Sequence, residues 1–525
     1  MPEATLATYN DLLAQLSLPT NLPLLTQLNR GIEKEGLRAS NQGIISQTPH
    51  PKGLGSALTH PSITTDYSES LLEFITPVMA SAHEAHAYLD VAHRFAYSQM
   101  DAEVIWPSSM PCILQGEMSI PIAYYGSSNL GQLKHVYRHG LWHRYGRTMQ
   151  CIAGIHYNFS LPEELWQLIA KAEGKEANQT YISAGYLRLI RNFRRYSWLL
   201  IYLFGASPAV CSSFLAGRKH TLDTLHQHTL YAPYATSLRM SDLGYQNNAQ
   251  SELTVCHNSL ARYIETLGEA ISVPVAAYEA IGMQDETGQY KQLNTNLLQI
   301  ENEFYSDVRP KRIGPSGEKP LESLSRAGIQ YIEVRCTDVN PFMPVGIDIP
   351  QMQFMDVFLT WCALHDSPNI SDADCAQLKD NLQSTVMEGR RPGLMLKRDN
   401  TEISLQAWGI ELIDDMMALA EKFDQAHSYN FHLDSLYQQR LKLVDSSRTP
   451  SAQVLAALID TGKEFSELTL DQALQHRKTL SEPLGVTVRQ QWTAMAQESL
   501  SNQRALEEND NLPFEQYLKE YLKRD

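Results

Sequence analysis

From Arg30 to about Cys362, short stretches of alternating polarity are interleaved with longer ones whose apolar residues recur every three or four positions, and beyond Asp366-Ser-Pro-Asn only the second kind remains. The two periods belong to strands and helices. The first region is expected to hold strands near 30–38, 68–76, 152–160, 295–303 and 328–336 among helices near 82–100, 132–145, 162–173 and 180–204. Segments near 373–388, 408–424, 431–445, 450–463 and 486–509 predict a helical tail. An α+β layered fold follows, with one domain over 1–365 and a helical C-terminal region over 366–525 packed on it. No fixed-period repeat is apparent, and the mixed-charge end from Glu507 reads as a solvated helix with frayed ends.

Composition narrows the function classes. Of 525 residues, 43% are hydrophobic and 19% charged, enough apolar material for large cores and too much for disorder. Asp and Glu number 59 against 43 Lys and Arg, a net charge of −16, so no nucleic-acid partner is expected. The most apolar stretch, Trp198–Ala206, is far below the roughly 20 residues that cross a bilayer, and no membrane association is expected. Met1–Gln27 carries only Glu3 and Asp11 as charges and does not read as a secretory signal. The seven cysteines are odd in number and form no C-x-x-C pair, which suits a reducing, cytoplasmic setting.

The acids of the β-like segments carry the functional signal. In Gly31-Ile-Glu-Lys-Glu-Gly36 the strand period sets Glu33 and Glu35 on one side and Ile32 and Lys34 on the other. Glu73 lies among Leu71, Leu72, Phe74 and Ile75, where a lone charge needs a cation or a proton. In Gly154-Ile-His-Tyr-Asn-Phe-Ser160, His156, Asn158 and Ser160 point away from Ile155, Tyr157 and Phe159. In Ile329-Gln-Tyr-Ile-Glu-Val-Arg335, Tyr331, Glu333 and Arg335 oppose Ile332 and Val334. If these faces converge they form a carboxylate-rich cavity suited to a hard divalent cation, Mg²⁺ or else Mn²⁺, and to nucleotide phosphates. The alternative is that each acid meets an arginine or caps a loop.

Other chemistries lack their marks: there is no G-x-x-x-x-G-K-[ST], complete G-x-G-x-x-G, H-E-x-x-H or G-x-S-x-G. His135, His139 and His143 stand four residues apart and could share a helix face, as a transition-metal site requires. Lys134, Arg138, Arg144 and Arg147 in the same segment argue against a cation there.

Arg30-Gly-Ile-Glu-Lys-Glu-Gly-Leu-Arg38, Ile63-Thr-Thr-Asp-Tyr67, Leu71-Leu-Glu-Phe-Ile-Thr-Pro77, Gly154–Ser160, Tyr234-Ala-Thr-Ser-Leu-Arg239, Ser241-Asp-Leu-Gly-Tyr245, Gln299-Ile-Glu-Asn-Glu303 and Tyr331–Arg335 resemble, in order, motifs of the proteobacterial glutamate-cysteine ligases. The resemblance runs from about Arg30 to Cys362 and is weaker in the tail. It implies a glutamine-synthetase-like curved antiparallel sheet around an active-site funnel, with helices outside. It also implies ATP-dependent formation of γ-glutamylcysteine from L-glutamate and L-cysteine through γ-glutamyl phosphate, the first step of glutathione biosynthesis. By the same resemblance Glu33, Glu35, Glu73, His156 and Glu333 would be metal ligands, and Arg335 and Arg239 the cations facing the transferring phosphoryl group or a substrate carboxylate. Asp66 would bind a metal or orient a substrate amine; Tyr137, Leu141, Gln150, Tyr245 and Tyr305 would shape the cysteine pocket. Arg309, Lys311 and Arg312 would touch nucleotide phosphates or form a solvated charge run. No obligate protein partner is implied. Two rival readings share these acids: a ligase with another amine acceptor, and a metal phosphohydrolase.

Overall fold

The structure, a computed structural model, describes residues 8–245, 250, 253–315, 317–399 and 401–523. Seven strands form the central sheet: β1 (Asn29–Ala39), β2 (Ile63–Thr65), β3 (Leu71–Ile75), β4 (Val104–Ile105), β5 (Ile155–Ser160), β6 (Val308–Lys311) and β7 (Tyr331–Thr337). Their order is β2-β3-β1-β5-β7-β6, with β4 beside the far end of β1, and every pairing is antiparallel. The mixed α+β fold is the one expected from the alternation of periods, and the antiparallel sheet is the one the resemblance implied.

One face of the sheet is apolar. Ile32, Leu72, Phe74, Ile155, Tyr157, Phe159, Ile332 and Val334 are each no more than 1% exposed. Against this side lie helices α1 (Ala82–Gln99), α3 (Gln179–Phe204) and α4 (Ile349–Leu364). Every residue of α4 from Gln351 to Leu364 is buried, the condition of a helix enclosed on all sides. Arg30, on the same face, pairs with Asp356 of α4 at 3.0 Å, and the Tyr157 hydroxyl donates to Asp356 at 2.8 Å. Helix α2 (Asn129–Tyr145) stands over the other, polar face.

Two sequence expectations fail locally. Residues 295–303 form no strand; the segment ends in a single 3-10 turn, Glu301–Glu303. Its polar side chains take the backbone for themselves: the Asn296 amide donates to the Ile271 carbonyl at 2.7 Å and the Gln299 N–H donates to Glu303 at 2.7 Å, which competes with a ladder. Arg309-Pro-Lys-Arg312 is not the solvated charge run of the alternative reading but mostly edge strand β6 with Arg309 buried, where Pro310 is tolerated because one side of the strand has no partner.

The tail is helical with one exception, a hairpin of Met395–Arg398 with Thr401–Ser404. Helix Phe465–Leu480 adds to the expected set, and the helix expected at the mixed-charge end, Phe514–Leu522, is not simply solvated: it buries Leu518 against Leu133 and Val136. Tail residues such as Leu412, Phe423, Leu436 and Trp492 belong to the same contiguous core as the sheet. No helix among the described residues is long and apolar enough to cross a membrane.

Candidate active site

The strand registers assemble the polar face. Glu33 stands opposite His156, Glu35 opposite Glu73, Asn158 opposite Glu333, and Glu333 opposite Arg309. Opposed residues in an antiparallel pair point to the same side, so the acids of β1, β3 and β7 share one surface with His156 of β5. Arg335, two residues from Glu333 on β7, points to the same face, where its guanidinium lies 3.2 Å from Glu333 and 3.4 Å from His156 Nδ1.

His156 is the hub. Its Nδ1 is 3.1 Å from Glu33 and 3.7 Å from Glu333, and its Nε2 is 3.9 Å from Glu35. Glu33, Glu73 and His156 each present a ligand atom, all within 4.8 Å of one another. Glu33 also accepts from the Asn158 amide at 2.9 Å, and Glu35 from the Gly154 N–H at 2.6 Å. Gly154 admits no side chain because the Arg239 guanidinium lies 2.1 Å from where a Cβ would stand. Arg239 in turn donates to the Arg335 carbonyl at 2.7 Å.

These acids do not share their charge equally. Burial pushes Glu73 well above the usual carboxylate range, and the charges of Glu33, Asp66 and Glu35 push it the same way. Burial also raises Glu35. Burial would raise Glu333 too, but Arg335 and Lys311, the latter 3.4 Å away, hold it well below its ordinary value. At Glu33 the burial penalty is overcome by the hydrogen bond with His156, and its pKa is lowered. Glu333 Oε2 and Asn158 Oδ1 remain buried without a hydrogen-bond partner.

A cavity of about 150 Å³ opens beside the cluster, lined by Glu35, His156, Arg239 and Arg335 from the sheet side and by Asp66, Tyr137, Leu141, Gln150 and Tyr305. All the amino-acid-pocket candidates with described side chains therefore meet in one space. Tyr245 ends a short helix, Asp242–Tyr245, and its side chain lies outside the described residues. The basic run divides: Lys311 faces Glu333, Arg309 lines the cavity and donates to the Asn302 carbonyl at 3.0 Å, and Arg312 is held by the Gly328 carbonyl and by Gln179 at 3.0 Å. Arg312 is not among the residues lining the cavity.

Sequence reasoning passed over Arg138, Tyr145 and Glu303, which also line it. Arg138 is one position from Tyr137 and bonds the Asp66 carbonyl; Glu303 pairs with Arg144 at 3.1 Å and accepts from the Tyr145 hydroxyl. Glu303 ends the quoted Gln299–Glu303 motif, which was the available signal.

The model of the family described as glutamate-cysteine ligase matches residues 13–385. The glutamate-cysteine ligase of Pseudomonas putida KT2440 is 53% identical over 506 residues, 96% of each chain. That of Pseudomonas entomophila is 52% identical over 506 residues, 96% of this chain and 95% of that one. The crystal structure of glutamate-cysteine ligase from Francisella tularensis in complex with AMP superposes with a TM-score of 0.89 at 36% identity, over 94% of this chain and 97% of that one. A sequence and a fold shared to this degree are those of a ligase. The chain belongs to the glutamate-cysteine ligase family.

Proposed function

We propose that this chain condenses the γ-carboxylate of L-glutamate with the amine of L-cysteine at the expense of ATP, giving γ-glutamylcysteine, ADP and phosphate as the first step of glutathione biosynthesis. The observation that carries the reading is the cluster of carboxylates around His156, beside a mostly polar cavity of about 150 Å³. The donor set, four carboxylates and one imidazole, with Glu333 Oε2 buried and making no hydrogen bond, fits Mg²⁺, and Mn²⁺ in its place. Glu33, Glu35, Glu73, His156 and Glu333 would hold it, and when bound it would neutralise the phosphate oxygens of ATP.

The chain's own residues account for the rest. The γ-carboxylate oxygen attacks the terminal phosphorus, the bond to ADP breaks, and γ-glutamyl phosphate forms. The deprotonated cysteine amine then attacks the acyl carbon and phosphate leaves. Arg335 and Arg239, fixed and always charged, oppose the negative charge that gathers on carboxylate and phosphoryl group. Lys311 beside Glu333 is the nucleotide-facing cation of the basic run. Arg309 faces the amino-acid cavity instead, and Arg312, tied to Gly328 and Gln179, acts outside it. Asp66 orients a substrate amine, while Tyr137, Leu141, Gln150, Tyr305 and, by the motif it ends, Tyr245 enclose the cysteine side chain. The seven free thiols support a reducing, cytoplasmic setting.

The test is co-substrate dependence. With Mg²⁺ and ATP, ADP should be released only when both glutamate and cysteine are present. Release with neither points to a hydrolase, and equal rates with other amines point to a ligase with a different acceptor.

A further inference from the structure

Helix α2 uses two stripes. Tyr137, Arg138 and Leu141 line the amino-acid cavity, while His135, His139 and His143 run along another stripe that the proposed ligase reaction does not use. His135 and His139, one turn apart, aim their Nε2 atoms at each other at 3.1 Å. The other nitrogen of His135, Nδ1, sits 2.7 Å from the Ala123 carbonyl, an acceptor that requires the proton on Nδ1. Nε2 of His135 therefore carries a lone pair, the arrangement in which a carbonyl orients a ligating imidazole.

The separation is informative. Two imidazole nitrogens on one ion, each about 2.0–2.1 Å from it, stand about 2.9–3.3 Å apart for angles between square-planar and tetrahedral. The four cations that oppose such a site in the sequence are drawn elsewhere. Arg138 lies over the Tyr125 ring at 4.6 Å and donates to the Lys134 carbonyl at 2.9 Å, and Lys134 Nζ is 5.2 Å from the same ring. Arg144 is taken by Gln292 and Glu303. Arg147 stacks on Trp142 at 3.8 Å and donates to the Ile120 carbonyl at 2.9 Å.

We propose that His135 and His139 form a binding site for a borderline transition-metal cation of the Zn²⁺, Cu²⁺ or Ni²⁺ class, with His143, one turn further along, as third donor and solvent completing the shell. Imidazole donors favour these ions over Mg²⁺, so the site is chemically separate from the carboxylate cluster on the sheet. His143 lies within reach of a side-chain rotation, its ring centre 6.5 Å from that of His139.

The experiment uses metal-stripped full-length protein with saturating Mg²⁺ present to occupy the acids. One equivalent of Cu²⁺ should give an electron paramagnetic resonance spectrum with coupling to at least two imidazole nitrogens. His139→Gln and His135→Gln should each reduce that coupling and weaken Zn²⁺ binding, measured by competition with a chromophoric chelator, at least tenfold. His143→Gln should weaken it by a smaller factor. Ligase turnover of His139→Gln with Mg²⁺ and ATP reports that the variant is folded. Unchanged Zn²⁺ affinity in a folded His139→Gln overturns the proposal. So does a single-nitrogen spectrum that disappears in His156→Gln, which would place the cation among the carboxylates.

Discussion

Arg30 and Glu33 leave the same strand three residues apart, on opposite faces, and meet opposite electrostatic solutions. Behind the sheet, Arg30 holds Asp356 through two contacts of 3.1 and 3.0 Å, with Tyr157 as a further donor, so one buried cation is matched by one buried anion. In front, Glu33, Glu35, Glu73 and Glu333 crowd one imidazole, and the near cations are Arg335 and Lys311. The rear pair is matched in charge as folded, although Arg30 Nη1 is left without a hydrogen-bond partner. The front cluster holds more negative charge than its neighbours neutralise, which is the condition for taking up cations from outside.

Breaking the rear pair should cost the most stability. Asp356→Asn leaves Arg30 buried without its anion, and a buried charge stripped of its partner typically costs about 3–5 kcal/mol. Urea titration should show that loss, while ligase turnover per folded molecule stays within a few-fold of wild type. A loss of turnover with no loss of stability would erase the distinction between the faces.

The front face should answer in the reverse way. Burial and its acidic neighbours raise Glu73 well above the ordinary range, so without a cation this carboxyl tends to carry a proton and Gln is close to isosteric with it. Glu73→Gln should leave the thermal midpoint of the cation-free protein unchanged or raised. Its turnover should drop by about 10²–10³, or about 2.7–4 kcal/mol of transition-state stabilisation. Turnover within tenfold of wild type would remove Glu73 from the proposed ligand set. In the same comparison, Mg²⁺ at about 100 times its dissociation constant should stabilise wild type by about 2.7 kcal/mol, and Glu73→Gln by clearly less. Equal stabilisation of both proteins would show that the ion binds elsewhere.

How far each face was legible follows from what sets it. The acid rows were readable because the strand period is fixed at two: once 31–36, 71–75, 155–160 and 331–335 are strands, the side of each carboxylate is determined. The rear pair was not, because Asp356 reaches Arg30 from a helix more than 300 residues away and nothing local marks it as a partner. Arg335 was placed on the correct face by the same period, but its approach to His156 is set by the pairing of β5 with β7, strands more than 150 residues apart, which leaves no mark in the residue pattern. The 295–303 segment misled because its apolar residues suit a strand while Asn296 and Gln299 bond nearby backbone instead. The basic run of 309–312 looked uniform in sequence, yet strand pairing sends Lys311, Arg309 and Arg312 to three different surroundings.

His60, just ahead of β2, offers a third case: a buried imidazole whose Nδ1 bonds hold only while it stays neutral. Its Nδ1 accepts from the N–H groups of Ser62 at 3.0 Å and Ile63 at 2.9 Å, and its ring stacks near Trp492 of the tail. Protonating Nδ1 would break both bonds, and burial lowers the His60 pKa from 6.5 to about 4. Between those values the unfolded chain binds the proton and the folded chain does not, so stability falls as pH drops from 6.5 to 4 and levels off below. The full shift corresponds to about 3 kcal/mol, and allowing for partial solvent access about 2 kcal/mol is expected. Asn places an amide oxygen near the position of Nδ1 and does not titrate. His60→Asn should therefore match wild type near pH 7 and exceed it by about 2 kcal/mol near pH 4 in urea titrations. Parallel pH profiles for the two proteins would mean that the acid sensitivity of this junction comes from other groups.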